Sequence, residues 1–279
     1  MRKNMKSQEN ILKDKLIMIK NNNYLLEKGE NYFTFALEMM KNIGSLDPIF
    51  RDELIYAILC KWCSNSIFTI EQLKNLLNIS LDDDHLFYKL YEADQDAVFK
   101  RTFSALVIAV IIYEHRKESF LSEKELYEIK GKLIEYMRKE QDVRGYIEVK
   151  GWAHSAAHTA DALDELVQCG CLNKIDLIDI LNSIREKACI GYYVYVDEES
   201  ERMVTVVENS FNRRILSDSE IIEWMQGFKL KNSKWSYIDN FHLKVNIKGF
   251  LRSLYFRLLD QENSKVIIEE IKKILKDLK

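Results

Sequence analysis

Apolar residues recur every three or four positions through most of this chain, and short polar breaks stand where longer linkers would otherwise fall. That spacing predicts helices over 7–20, 30–42, 49–64, 70–78, 82–91, 95–115, 122–139, 152–169, 174–188, 199–215, 218–227, 237–259 and 263–277. Ser122 ahead of Glu123 and Glu125, and Ser217 ahead of Asp218 and Glu220, read as N-caps followed by acids that suit the positive end of a helix. The run 103–113 is apolar on every side, which marks a helix enclosed in a core. It is about half the ~20 residues that a spanning helix needs. The stretch 190–197 departs from the helical period: its aromatic and β-branched residues predict an extended connector, with a hairpin to 203–207 as the lesser alternative.

One proline and nine glycines among 279 residues leave few helix breakers, and 47% hydrophobic content is enough for a sizeable core. The predicted class is all-α: a HEAT-like α-solenoid or an irregular right-handed array of helix pairs, with one short extended segment near 192–196. A single domain over 1–279 is expected, with 1–28 as a peripheral N-terminal helix and 29–279 as the repeat-like array. Asp47 with Arg51, Asp96 with Arg101, Asp142 with Arg144, and Glu199 with Arg202 recur at intervals of roughly 40–60 residues, a loose form of the aspartate–arginine ladder of helical repeats. Acids near helix starts also arise from the helix dipole alone.

The formal charge is −3, so nothing draws the chain as a whole to nucleic acid or to an anionic membrane, and neither is expected as a partner. Lys229, Lys231, Lys234, Lys244 and Lys248 interleave with Phe228, Trp235, Tyr237 and Phe241, a mixture able to hold a single strand, but Glu223, Asp239 and Asp260 nearby favour solvated helix ends. Five cysteines, an odd number in apolar helical contexts, fit a reducing cytoplasm. The start of the chain also lacks the continuous apolar stretch of a secretion signal. The pairs Cys60/Cys63 and Cys169/Cys171 read as buried structural thiols before metal or redox groups.

The segment most suggestive of chemistry is Gly151-Trp152-Ala153-His154-Ser155-Ala156-Ala157-His158-Thr159-Ala160-Asp161, which continues to Glu165. At about 100° per residue, His154, His158, Asp161 and Glu165 fall on one stripe of a helix, opposite Trp152, Ala156, Thr159, Ala160 and Leu163. The polar stripe therefore points away from the core face, and Trp152 is expected in the core. Three readings stay open: pairing with a neighbouring helix, a ligand- or partner-binding groove to which Arg144 and Lys150 also contribute, and a metal-dependent, hydrolase-like centre. In the last, His154, His158 and Asp161 would hold a divalent ion such as zinc. One straight helix spreads these three over about 10 Å, so the metal reading needs help from His115, His242, Glu148 or Asp197. Ser155 also stands where a zinc-protease helix carries its general base.

With Arg51-Asp52-Glu53-Leu54 and Phe120-Leu121-Ser122, the Gly151–Leu166 signature resembles a bacterial family of unknown function, found mostly in Firmicutes. The resemblance spans most of the chain and implies an all-α, HEAT-like architecture, a soluble protein, and no catalytic residues to carry over. The chain is more loosely similar to the HEAT-like alkylpurine DNA glycosylases, whose basic groove its acidic balance does not match.

Overall fold

In a computed structural model, residues 2–229, 235–261 and 264–278 are described, with side chains from residue 9 onward. The molecule is 67% helical. Contacts divide the chain into two compact units, one of Met1–Ser122 with Tyr146–Ala153, the other of Glu123–Gly145 with His154–Lys279.

The first unit holds α1 (Arg2–Asn21), α2 (Tyr32–Lys41), a π-helical segment Ile49–Tyr56 that runs into α3 (Ala57–Ser64), α4 (Ile70–Ser80) and α5 (Ala97–Lys117). The core of this unit gathers on α5, which is buried along most of its length, as its all-round apolar sequence requires. Thr69 and Gln72 close a reciprocal capping box that fixes the start of α4. The helix expected over 82–91 is instead a succession of turns. There Asp82 takes hydrogen bonds from the amide of Asp84 (2.9 Å) and from Nδ1 of His85 (2.9 Å), so its side chain competes with the helical ladder. The widened π turns carry Arg51, which is wholly buried and donates to the carbonyls of Ser45 (2.7 Å) and Lys150 (2.8 Å). Its guanidinium also lies 4.4 Å from the ring centre of Phe99 and 4.6 Å from that of Phe103.

A two-residue hairpin pairs β1 (Tyr146–Ile147) with β2 (Gly151–Trp152). Gly151 sits at φ +78°, and a Cβ there would meet Pro48 at 2.8 Å and Arg51 at 3.0 Å, so glycine is what lets this strand approach the arginine. Trp152 is not part of the core, as its place on a helical wheel suggested: it is a strand residue, 39% exposed, edge-on to Tyr146.

The second unit comprises α6 (Glu123–Lys139), α7 (Ser155–Val167), α8 (Lys174–Ala188), α9 (Glu199–Asn212), α10 (Asp218–Gln226), α11 (Tyr237–Leu258) and α12 (Lys265–Asp277). Its helices pack on their second neighbours, α7 on α9 and α9 on α11 in one layer, α6 on α8 and α10 on α12 in the other. Asn173 and Ser217 each close a capping box, with Asp176 and Glu220, and set the starts of α8 and α10. Residues 190–197 form the irregular connector. No helix among the described residues is long and apolar enough to cross a membrane.

The arginines of the loose repeat have dissimilar partners. Arg101 donates to the Tyr88 carbonyl, Arg144 to its own neighbour Asp142 (2.8 Å), and Arg202 to Asp161 of α7 (3.1 Å).

Candidate functional site

α7 begins three residues later than the apolar spacing suggested, because His154 takes the left-handed conformation at φ 48°, ψ 37° and serves as the N-cap without its side chain capping the amides of the first turn. A non-glycine residue there is strained by about 1–3 kcal/mol, so the surroundings must hold it. They do so from both ends: the His154 amide donates to the Arg144 carbonyl (2.8 Å), and the imidazole Nε2–H donates to the Asp197 carbonyl (2.7 Å). Nε2 therefore carries the proton in the neutral ring, and burial pushes the pKa of His154 below its ordinary value.

The expected polar stripe does not face outward. His154 and His158 are both buried, their rings edge to face at 5.4 Å, and every residue from Ser155 to Ala160 is buried. Both flanks of α7 are covered because α6 packs on it as well as α9. Asp161 and Glu165 are half-buried. Burial raises Asp161 to about 6 against the opposing pull of Arg202, and Asp164 and Glu165 add to the rise.

Beside His154 lies a carboxylate that the apolar pattern had assigned only to an acid–arginine repeat. Glu199, the first residue of α9, has a fully buried side chain. Its Oε2 accepts from the Asp197 amide (2.9 Å), while Oε1 has no hydrogen-bond partner among the described residues and stands 3.8 Å from His154 Nε2. Burial raises its pKa. Glu198, which precedes it, is left-handed at φ 67°. Two packed helices thus each start from a left-handed residue, and the backbone and side chains of those starts are joined through His154 and Asp197.

The polar cluster continues below. Lys187 is buried and donates to the Glu140 carbonyl (2.6 Å), and desolvation lowers it to about 8 although Glu140 and Glu186 oppose the shift. Tyr195 donates to the Lys187 carbonyl (2.9 Å), and Tyr136 to the buried Glu140 carboxylate (2.9 Å). Titratable groups whose pKa is shifted by burial cluster at functional sites, and here they lie together at the starts of α7 and α9. The cluster's signals in the sequence were the signature around His154 and His158 and the acid at position 199. Burial and the orphaned oxygen depend on helices far apart in the chain.

The residues suggested as a metal set are not brought together as one. Among the described residues no group of three or more histidine, cysteine, aspartate or glutamate side chains is placed to hold an ion. His154 gives its Nε2 to a carbonyl and Asp161 is held by Arg202. His115 Nδ1 accepts the amides of Phe120 and Leu121, His242 Nδ1 donates to the Gly191 carbonyl, and Glu148 lies exposed in the hairpin turn. Of the supporting residues, Arg144 is fixed on Asp142, while Lys150 belongs to the first unit and pairs with Asp96 (2.7 Å). The five cysteines are free thiols, and burial pushes Cys63 up to about 12, the reverse of a reactive thiolate.

The family described as "Protein of unknown function (DUF2785)" matches residues 86–256, a stretch that contains α7, α9 and the whole His154–Glu199 cluster. The chain belongs to this family. Comparisons with curated proteins and with solved structures returned no match.

Proposed function

We propose that this family member is a ligand-binding module, HEAT-like in the two-layer stacking of its second unit, with its recognition centre where α7 and α9 begin. His154, His158, Asp161 and Glu165 supply the α7 side of that centre, Arg144 anchors the backbone of His154, and Glu199 is added from α9. Lys150 instead holds the hairpin on Asp96. The observation that carries the reading is Glu199 Oε1, a buried acceptor for which the described residues supply no donor. Leaving such a group unpaired disfavours the fold by about 1–3 kcal/mol, and a ligand N–H removes that penalty. The favoured ligand is a small molecule with an ammonium or guanidinium group. Five free thiols suit the reducing cytoplasm as its setting.

The test is thermal denaturation against a panel of amines, guanidines and amino acids. A compound of this class should raise the melting temperature of the natural protein and leave Glu199→Gln unmoved. A panel without effect, or an equal shift in both proteins, overturns the proposal.

A further inference from the structure

α11 buries one face in the second unit through Leu243, Ile247, Phe250, Leu251 and Leu254. The opposite face is open and is far from an ordinary solvated surface. Ile238, Phe241, Val245, Phe256 and Leu259 are exposed by 51, 52, 37, 70 and 47%. Together with Lys248 and Arg252 they recur at steps of three or four residues, the spacing by which one helix receives another. The face runs the length of a 22-residue helix, about 33 Å.

Its charge is one-sided. α11 contains a single acid, Asp239 in the first turn, and Arg257 is turned aside to Glu201 and Glu208 of α9. Lys248 and Arg252 make no ion pair with any described residue and stand in the middle of the seam. Lys244 adjoins them; desolvation depresses the pKa of Lys248, and the charges of Lys244 and Arg252 add to the fall.

We propose that this outward face of α11 is the docking site for an acidic amphipathic helix of another protein, its apolar residues meeting the two ends of the seam and its carboxylates meeting Lys248 and Arg252. The position of the cations decides between occupants. A helix that lies in a membrane keeps its basic residues on a polar face away from the apolar one, whereas here they interrupt the apolar seam itself. A second copy, in either orientation, would bring Lys248 and Arg252 against their own like charges near the middle of the contact.

Two labelled amphipathic peptides of about 20 residues test this by fluorescence anisotropy on the full chain. Both carry leucine at the seam, and their two middle seam positions hold glutamate in one and lysine in the other. The glutamate peptide should bind about tenfold or more tighter and weaken as salt rises. Lys248→Glu with Arg252→Glu should invert the preference, and both positions are at the surface, so a thermal melt verifies that the variant is folded. Equal affinities, or no binding of the glutamate peptide, overturn the proposal. Co-sedimentation with phosphatidylserine vesicles that the double substitution abolishes would replace it with a membrane surface. A concentration-dependent dimer lost in Phe241→Glu would replace it with self-association.

Discussion

The Nε2–H of His154 donates to the carbonyl of Asp197 across 2.7 Å, and this bond ties the cap of α7 to the residue two positions before α9. It sets the imidazole tautomer, helps hold a histidine in a left-handed conformation, and leaves Glu199 Oε1 with no donor among the described residues. The consequences can be measured.

At position 154 glycine adopts the left-handed region freely and alanine does not. Both substitutions lose the imidazole bond, so their difference isolates the backbone term. Urea denaturation should find His154→Ala less stable than His154→Gly by about 1 kcal/mol. Equal stabilities would mean that the left-handed cap is not maintained in solution.

Asp161 is raised to about 6 by burial, and Arg202 moderates that rise. The folded state therefore binds this proton more tightly than the unfolded chain, and stability contributed at low pH is lost as pH rises from about 4 through 6. Carbon NMR of the Asp161 carboxyl should titrate near 6, and Arg202→Ala should move the midpoint higher. A midpoint near 4 in the natural protein would contradict the burial seen at α7.

Lys187 is lowered to about 8, so between pH 8 and its unfolded value near 10.5 the unfolded chain binds more protons and stability rises with pH. Below pH 8 the buried ammonium disfavours the fold by about 3 kcal/mol at most. Lys187→Met should therefore be more stable than the natural protein near neutrality, with the advantage shrinking toward pH 10.5. Stability curves of the two proteins that run parallel over this range would rule the shift out.

Val149, in the hairpin turn, combines φ 70° with 82% exposure. A β-branched residue is a genuine outlier there and has no packing to lose. Val149→Gly should stabilise the protein by about 1 kcal/mol in urea denaturation. A loss of similar size would show that this valine makes a contact in solution that compensates for its backbone.

Much of the architecture was legible because local rules act alone at many positions. Few glycines and a single proline made the class all-α. Ser217 and Glu220 marked the start of α10 as a capping box does, and the all-round apolar run of α5 identified a core helix. Where a side chain could bond to its own backbone the period misled: Asp82 turns its segment out of the helix. The signature around His154 and His158 singled out the stretch on which the cluster is built. Its angular reading failed at Trp152 and His154, since a wheel assumes a helical backbone that begins only at Ser155.

By itself, then, the sequence determined the helical class, most helix limits and the place in the chain where polar chemistry concentrates, because period, caps and breakers act within a few residues. Which flank of α7 is covered, that Glu199 is buried with an unpaired oxygen, and that Lys248 and Arg252 remain open in the seam of α11 were decided by tertiary structure alone. Burial and pairing depend on helices tens of residues apart, and no local period records what those helices bring to a site.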